Sequence, residues 1–373
     1  MDFISLFIYL IILIPSLIYK LILKLSRKSI WLIYETKTTA CDNGYYLFKY
    51  IRKNHPSDLV YYAIDKNSHD YSKVSKLGNI VNWGSLKHYI YYLVARKITT
   101  NELSSPAPHL FNFMLVYLNI YNDRVFLQRG ITSSNVKNLH YNKTKFKLFV
   151  CGAEKEYEYI KNNYHYPDNF VKYLGFPRFD NFNNNIPKKQ ILIMPTYRKY
   201  IKNDFTNTTY YKKWNSLLNN INFIELLEKN DITVYFYMHK TMSKYTSKFN
   251  TKSNNIKIVT SADVNELLKE SSLLITDYSS VYMDFAYMNK PIIYYQFDNV
   301  EYNNNGNEYG YFKFSKDAFG KIVIDEEDLI KKIEAYIILN YRLEKVYLDR
   351  MNEFFKEKDD LNSKRVYEAI KNM

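Results

Sequence analysis

The sequence predicts two α/β domains, each with a parallel sheet covered by helices, preceded by an apolar N-terminal helix. The chain has 373 residues and a mass of 44.8 kDa, more than one hydrophobic core usually holds, so two domains of roughly 150 residues are expected. Short apolar runs alternate with longer helical stretches, which is the rhythm of βαβ units. The first part of the chain is almost wholly apolar, which is typical of a membrane-associated helix.

The composition is that of a globular, basic protein. Hydrophobic residues make up 47% and charged residues 24%, which is not the usage of a disordered chain. Lys and Arg outnumber acids by 52 to 38, so an anionic partner is expected: nucleic acid, anionic lipid or a phosphate-rich substrate. Nucleic acid ranks last, since no zinc or RNA-binding motif is present. Cys41 and Cys151 lie far apart, which indicates a reducing compartment without disulfides or a thiolate metal site.

Residues 1–28 are predicted to be a membrane anchor or interfacial helix. The segment lacks the basic start and the cleavage site of a signal peptide, so we expect it to be retained. Its basic residues all follow the apolar run, and they are Lys20, Lys24, Arg27 and Lys28. The positive-inside rule then places the protein at the cytoplasmic face of the cell membrane. Whether the segment spans the bilayer or lies in its interface stays open, because Pro15 interrupts a run of borderline length; a buried first helix is the other alternative.

Three further segments complete the predicted organisation. Residues 29–183 form the first domain, with strands in IWLIYET, LVYYAI, NIVNW, KITTN, FKLFVCG and VKYLG. Residues 184–340 form the second, with strands in QILIMPT, TVYFYMH, IKIVT, SLLITDY and PIIYYQF and helical stretches in YYKKWNSLLNNINFIELLEKN and DVNELLKE. The Asn-rich interval 179–189 reads as the linker, and residues 341–373 as a C-terminal helix packing across both domains. Ligands of open α/β sheets bind beyond the carboxyl ends of the strands, so functional residues are sought in strand-end loops.

The strongest local signal is residues 271–297, in which a strand, a Thr-Asp-Tyr-Ser-Ser turn, a helix and a second strand follow one another. Ser279 or Ser280 occupies the expected N-cap. Free N–H groups and the positive end of the helix dipole would make that point an anion site suited to a diphosphate, although ordinary capping is an alternative. Asp277 either fixes the turn or contacts the ligand.

Two other strand-end loops carry candidate residues. Residues 194–198, MPTYR, place Thr196 and Arg198 after the strand QILI. A guanidinium can clamp a phosphate bidentately, although an Arg in a loop is otherwise solvated surface. Residues 238–240, MHK, place His239 after the strand TVYFY, where an imidazole could act as acid, base or phosphate donor, or have a structural role.

In their order and frames, these loops resemble the CDP-glycerol glycerophosphotransferases of bacterial teichoic-acid and capsule synthesis. The resemblance covers most of the chain after residue 28 and is carried by GYYLFKYIRKNHP, GSLKHYIYYLVARKITTNE, FLQRGIT, KYLGFPRFD, MPTYR, MHK, LLITDYSSVYMDFAYMNKPIIYYQFD, GYFKF and FGKIV. It implies a glycosyltransferase-B architecture of two Rossmann-like lobes. The first lobe would admit the acceptor, the second would hold the donor, and the N-terminal helix would attach to the membrane.

The resemblance also implies a reaction and a site. Glycerol phosphate would pass from CDP-glycerol to a hydroxyl of a lipid-linked or polymeric acceptor, releasing CMP, without a cofactor or a protein-bound metal. His239 would bind or protonate the departing phosphate, and Arg129 would be the other catalytic position. The implied substrate-binding residues are Thr196, Arg198, Asp277, Ser279, Ser280 and Gly130.

The sequence departs from the family at one position. The loop at residues 126–132 typically carries a His before its Gly, whereas FLQRGIT has Arg129 there. An Arg cannot accept the proton, and general base catalysis contributes about 10²–10⁴ in rate. His88 or His140 could supply the base, Arg129 could bind an anionic acceptor, or the protein could be an inactive membrane-bound scaffold. A CDP-ribitol or nucleotide-sugar transferase of the same fold is the remaining alternative.

Overall fold

The predicted pair of parallel-sheet α/β domains is confirmed by a computed structural model. It describes residues 3–104, 122–182, 186–201, 204–260, 262–304 and 310–373. The chain divides into two compact units. Unit 1 comprises residues 1–131, 136–181 and 359–373, and unit 2 comprises residues 132–135 and 182–358.

The first helix, α1 (Phe3–Leu25), runs through Pro15, so the expected interruption there is wrong. Beside Pro15, which has no N–H to donate, the Ser16 hydroxyl donates to the Ile12 carbonyl at 2.6 Å. Ile12 and Leu23 are buried in a cluster with Leu32, Tyr34 and residues 92–95, while other apolar side chains of α1 are exposed. In the part of the chain that the structure describes, no helix combines the length and apolarity that crossing a bilayer requires. Membrane association of α1 stays a prediction.

Unit 1 contains a seven-stranded sheet in the order β3-β2-β1-β4-β5-β6-β7, with every pair parallel. The strands are β1 (Trp31–Tyr34), β2 (Val60–Ile64), β3 (Ile80–Asn82), β4 (Lys97–Thr100), β5 (Asp123–Phe126), β6 (Leu148–Cys151) and β7 (Val171–Tyr173). Strands β1, β4 and β6 are buried at every residue, as expected of a parallel sheet covered on both faces. The order of the strands reverses between β1 and β4.

Helices connect the strands of unit 1 and cover its sheet. They are α2 (Asn43–Asn54), α3 (Tyr71–Ser75), α4 (Leu86–Val94), α5 (Tyr141–Thr144) and α6 (Glu154–Asn163), with 3₁₀ segments Lys137–Leu139 and Pro177–Asn181. Ser85 begins α4 as a cap, since its hydroxyl accepts from the His88 N–H at 3.2 Å. A later helix, residues 362–371, also belongs to this unit.

Unit 2 repeats the same topology with six parallel strands in the order β10-β9-β8-β11-β12-β13. They are β8 (Gln190–Ile193), β9 (Thr233–Tyr237), β10 (Ile256–Val259), β11 (Leu273–Thr276), β12 (Ile292–Tyr295) and β13 (Lys321–Val323). The order reverses between β8 and β11. This is the doubly wound arrangement, in which ligands bind beyond the carboxyl ends of the strands at the reversal.

The helices of unit 2 are shorter than the sequence predicts. They are α7 (Thr209–Asn219), α8 (Ile221–Asn230), α9 (Val264–Glu270), α10 (Val281–Tyr287), α11 (Asn299–Asn304), α12 (Phe314–Asp317), α13 (Glu326–Ile338) and α14 (Lys345–Phe354), with 3₁₀ segments Phe205–Asn207 and Lys240–Lys248. The helical stretch before β9 breaks at Asn220, whose side chain accepts from the Phe223 N–H and so caps α8. The predicted single C-terminal helix, residues 341–373, is two helices in the structure, α14 in unit 2 and α15 (Asn362–Lys371) in unit 1. Asn340 and Tyr341, which both have positive φ, separate α13 from α14.

Candidate functional site

In unit 2, the predicted residues converge where the strand order reverses. Asp277 follows β11 and is fully buried. Its Oδ1 accepts from the Thr196 N–H at 2.8 Å and from the Thr196 hydroxyl at 2.5 Å, which ties it to the loop after β8. The same Oδ1 accepts from the Tyr278 N–H at 2.6 Å. Asp277 therefore fixes its turn and joins two strand ends.

Arg198 lies at the centre of this arrangement and is fully buried. Its Nη2 donates to Asp277 Oδ2 at 2.8 Å, its Nε donates to Asp298 Oδ2 at 2.8 Å, and its Nη1 donates to the Thr196 carbonyl at 3.0 Å. Burial alone would lower the pKa of Arg198, but the charges of the two aspartates outweigh it and raise the pKa. The solvated alternative is thus wrong. The guanidinium is engaged by protein carboxylates, which gives it a positioning role at the ends of β8, β11 and β12.

Three aromatic rings surround the Arg198 guanidinium. Its carbon lies 5.1 Å from the ring centroids of Tyr210 and Tyr278 and 4.9 Å from that of Tyr302, within the range of cation–π attraction. Tyr278 and Tyr302 stack with their centroids 3.7 Å apart. Burial, then the Asp277 charge, raises the pKa of Tyr302 to about 12. The abundance of Tyr hides these three residues in the sequence, and Asp298 follows the strand PIIYYQF without drawing notice.

The two serines at the predicted anion site lie at the start of α10. Ser280 is the N-cap residue and is exposed, but its side chain makes no cap hydrogen bond. The Ser279 hydroxyl accepts from the Val281 N–H at 3.5 Å, the outer limit of a hydrogen bond. Ordinary capping therefore accounts poorly for this pair of hydroxyls.

His239 emerges at the end of β9, as predicted from the run that precedes it. Its side chain is exposed, and its Nδ1 accepts from the Thr241 N–H at 3.2 Å. In the neutral ring the proton is consequently on Nε2. The ring faces Tyr197 of the β8 loop, with centroids 6.1 Å apart.

A cavity of about 610 Å³ in unit 2 adjoins this cluster. That volume is within the range of small-molecule and cofactor sites. Its apolar walls are mainly aromatic, and the rings are Tyr278, Tyr282, Tyr302, Phe312 and Phe314. The polar residues of its lining include Gln296, Lys313, Ser133 and Ser134. Aromatic faces with a few polar groups suit a planar base attached to a polar body.

In unit 1, Arg129 and Gly130 follow β5, and Arg129 is paired. The guanidinium donates from Nε to Glu102 Oε1 at 2.5 Å and makes a second bond from Nη2 to the same oxygen. The Arg129 side chain is 58% exposed and that of Glu102 is 18% exposed. Glu102 follows β4 within KITTNE, so the strand-end rule could have identified it from the sequence.

The loop that carries Arg129 is anchored by neighbouring elements. Gln128, at φ 59°, donates from Nε2 to the Val150 carbonyl at 2.7 Å and to Glu156 Oε1 at 3.1 Å. Asn43, at the start of α2, donates to the Gln128 carbonyl at 2.9 Å. Hydrogen bonds to its side chain and to its carbonyl therefore hold Gln128, the residue before Arg129, and this restricts the position of the Arg129–Glu102 pair.

The model of one family, CDP-Glycerol:Poly(glycerophosphate) glycerophosphotransferase, matches residues 17–372. The chain belongs to this family. It is 31% identical over 363 residues to the minor teichoic acid biosynthesis protein GgaB of Bacillus subtilis (strain 168), covering 92% of this chain but only 40% of GgaB. It is 26% identical over 397 residues to a teichoic acid poly(glycerol phosphate) polymerase of Bacillus spizizenii (strain ATCC 23059 / NRRL B-14472 / W23), covering 97% of each.

Solved structures share the fold of this glycerophosphotransferase family member. The wall teichoic acid polymerase TagF superposes with a TM-score of 0.69 at 15% identity, covering 96% of this chain and 97% of TagF. A UDP complex of MnaA from S. aureus superposes with a TM-score of 0.58 at 13% identity, covering 92% and 96%. The glycosyltransferase-B assignment stays a prediction beyond the two parallel-sheet domains.

The two histidines considered as alternative bases have structural surroundings. His88 is fully buried against Trp83 and Tyr89, and its Nδ1 accepts from the Gly84 N–H at 3.0 Å. His140 precedes α5 and stacks on Tyr164 with centroids 4.6 Å apart. Across the described ranges, no group of three or more His, Cys, Asp or Glu side chains is placed to hold a metal ion.

Burial of His88 predicts a pH dependence of stability. Desolvation lowers the pKa of His88 to about 4, below its ordinary value of 6.5. Between those values the unfolded chain binds a proton that the folded chain does not, so stability is complete above about pH 6.5 and falls as the pH drops toward 4. From about pH 7 to about pH 5, we expect the wild type to lose about 2 kcal/mol more than His88→Gln.

The measurement is the free energy of unfolding from urea titrations at both pH values. His69→Gln removes an exposed imidazole and serves as the control, for which the wild-type pH dependence is expected. Equal losses in the wild type and His88→Gln would refute the buried, neutral state of His88.

Proposed function

We propose that the chain transfers glycerol phosphate from CDP-glycerol to a hydroxyl of a lipid-linked or polymeric acceptor in teichoic acid synthesis, releasing CMP. The observation that carries the proposal is the cluster at the strand reversal of unit 2. There Thr196, Asp277 and the start of α10 lie at the strand ends, beside an aromatic cavity of about 610 Å³. Membership of the glycerophosphotransferase family supports the same reaction.

On the donor side, the cavity would take the nucleotide and the start of α10 the diphosphate. The hydroxyls of Ser279 and Ser280 and the N–H groups at this helix start are suited to phosphate oxygens. Thr196 would contact the donor from the β8 loop, and Arg198 would hold that loop through Asp277. His239, whose neutral ring carries its proton on Nε2, would donate that proton to the departing phosphate.

The reaction also needs a proton acceptor. An acceptor oxygen forms a bond to the β-phosphorus, the bond from that phosphorus to the CMP oxygen breaks, and the hydroxyl proton must leave. We assign this proton to Glu102, because a carboxylate can take it and because Glu102 Oε1 accepts from Arg129 Nε and Nη2, at the position where the family typically has His. Arg129 would then orient Glu102.

The test is CMP release from CDP-glycerol by the purified protein with a short glycerol-phosphate acceptor. We expect acceptor-dependent release that His239→Ala lowers by about 10²–10⁴, the contribution of a general acid. His69→Ala, which removes an exposed His elsewhere, should keep the wild-type rate. Arg129→His tests whether the family's usual residue is needed.

The outcomes separate the alternatives. No CMP release by the wild type together with CMP release by Arg129→His would indicate that the natural protein has lost catalysis and acts as a scaffold. CMP release from CDP-ribitol but not from CDP-glycerol would show that the donor is CDP-ribitol. One relative, the teichoic acid ribitol-phosphate polymerase TarK of Staphylococcus aureus (strain NCTC 8325 / PS 47), is 29% identical over 193 residues. No CMP release from either donor by the wild type or any variant would overturn the proposal.

We also propose that the protein works at the cytoplasmic face of the cell membrane, held there by α1. Apolar side chains of α1 are exposed, among them Phe7, Ile14 and Leu25. Basic residues follow them at the end of the helix. Such a helix gains free energy when its apolar side chains enter the interface, and its cations are attracted to anionic lipids.

A further inference from the structure

A second cavity, of about 390 Å³, lies in unit 1 at the amino ends of the strands. Trp31 begins β1, Lys97 begins β4, and Leu59 directly precedes β2, and all three line the cavity. The candidate residues Arg129 and Glu102 follow the carboxyl ends of strands in the same sheet. The cavity is therefore separate from the proposed catalytic residues of this unit.

The walls of this cavity are strongly basic. Five cationic side chains face one acidic side chain, Asp58, and they are Arg27, Lys28, Arg96, Lys97 and Lys371. Asp58 accepts from the Tyr367 hydroxyl at 2.7 Å and lies 3.7 Å from the Lys371 ammonium. Ser29 and Ser57, which are exposed residues, also line the cavity. The lining thus offers several donors and an excess of positive charge.

Lys97 satisfies backbone carbonyls at the negative end of a helix beside the cavity. It is buried, its ammonium contacts the Trp31 ring with 4.8 Å to the centroid, and it donates to the carbonyls of Ile370 and Lys371. These carbonyls belong to the last turn of α15, where the helix dipole is negative. Because Lys97 satisfies them, the remaining cations face the cavity without competition from these carbonyls.

Three of the cations have no acidic partner. Within the described part of the chain, no carboxylate oxygen lies within 4.0 Å of the side-chain nitrogens of Arg27, Lys28 or Arg96. Arg27 also holds a left-handed backbone, with φ 52°, where the Lys28 N–H bonds to the Leu23 carbonyl to close α1. Helices usually place Gly there, since an L side chain is strained. A charged residue thus occupies a position that favours Gly.

We propose that this cavity binds a phosphate group, either free, as a phosphate monoester, or as the phosphodiester of a lipid headgroup. Guanidinium and ammonium groups are the usual partners of phosphate oxygens, and a cavity gathers them at short range. The exposed apolar side chains of α1 directly precede Arg27 and Lys28, which favours the lipid source. The proposal does not depend on the transferase function, because none of the residues proposed for catalysis lines this cavity.

Two binding measurements on the full chain distinguish the sources. Calorimetric titration with inorganic phosphate and with glycerol 3-phosphate tests free phosphate groups. Flotation with vesicles of phosphatidylcholine, alone or mixed with phosphatidylglycerol, tests lipid phosphodiesters without and with a net negative charge on the headgroup. We expect binding to the mixed vesicles to exceed binding to phosphatidylcholine vesicles and to weaken with salt.

Matched variants assign the binding to the cavity. Arg27→Gly should weaken phosphate or mixed-vesicle binding by roughly tenfold, the effect of one lost charge-assisted hydrogen bond, while relieving the left-handed strain. Lys145→Gly removes the same charge from another left-handed position, at φ 53°, and should leave binding unchanged. Arg96→Gln should also weaken binding, whereas Arg342→Gln, at an exposed Arg outside the cavity, should not.

A gain of binding completes the test. Asp58→Asn removes the one acidic side chain of the cavity but keeps an acceptor for the Tyr367 hydroxyl, so affinity should rise several-fold. Weakening by Arg27→Gly and Arg96→Gln in either measurement supports the site, and the measurement that responds names the source. Equal losses in cavity and control variants, or no binding in either measurement, would overturn it.

Discussion

Arg198→Met is expected to lower the free energy of unfolding of unit 2 by about 3–5 kcal/mol. The side chain is fully buried and is the cation that faces Asp277 and Asp298 at 2.8 Å each. Removing it leaves two carboxylates in an interior that cannot solvate them. Urea unfolding of the purified protein measures the loss, and hydrogen exchange at the amides of β8 and β11 assigns it to unit 2.

Two control variants show that the loss comes from uncompensated charge. Arg342→Met changes an exposed Arg and should leave stability within about 0.5 kcal/mol of the wild type. Adding Asp277→Asn and Asp298→Asn to Arg198→Met removes the stranded charges and should restore part of the stability. If Arg198→Met alone unfolds like the wild type, the guanidinium does not hold the strand ends together.

Glu102→Gln is expected to lower the turnover rate of glycerol-phosphate transfer by about 10²–10⁴ while changing the KM for the donor little. The amide is almost the same size and can still accept a bond from Arg129, but it cannot take the acceptor proton. Measuring CMP release across pH checks the assignment, because the basic group's ionisation in the wild-type profile should be absent from the variant.

The matched control for Glu102 is Glu270, which also pairs with a cation at 2.5 Å, the Lys188 ammonium. Glu270→Gln breaks that ion pair without touching the candidate residues, so its rate should equal that of the wild type. A Glu102→Gln rate within a few-fold of the wild type would exclude Glu102 as the base. Another group would then have to take the place of the His that the family typically has at position 129.

The fold was predictable because its signals are local. Strands such as QILI and LLIT are buried on both faces, so each appears in the sequence as a continuous apolar run. The strand-end rule then led to Thr196, Asp277 and His239, since it depends only on where a strand stops. The arrest of the helix at Asn220 was missed, because the apolar period continues across it while the Asn side chain caps a new helix.

The roles of charged residues were less predictable, because their partners are distant in sequence. Arg198 pairs with Asp298, a hundred positions later, and with Asp277, which directly follows β11. From the sequence alone Arg198 could be a phosphate ligand, although an Arg in a loop is usually a solvated surface residue. Arg129 poses the same problem, since its partner Glu102 lies in the loop after the preceding strand, β4. Local patterns locate such side chains at strand ends, but only the sheet order shows which ones meet.

The division of the chain has a consequence for biosynthesis. Residues 359–373 leave the ribosome after all of unit 2, yet α15 belongs to unit 1, where Asp180 accepts from the Asn362 and Ser363 N–H groups and Lys97 bonds to the last turn. The nascent sheet of unit 2 has all its strands while unit 1 still lacks this helix. Unit 1 therefore cannot complete its fold until unit 2 has been synthesised, although most of its sequence is translated first.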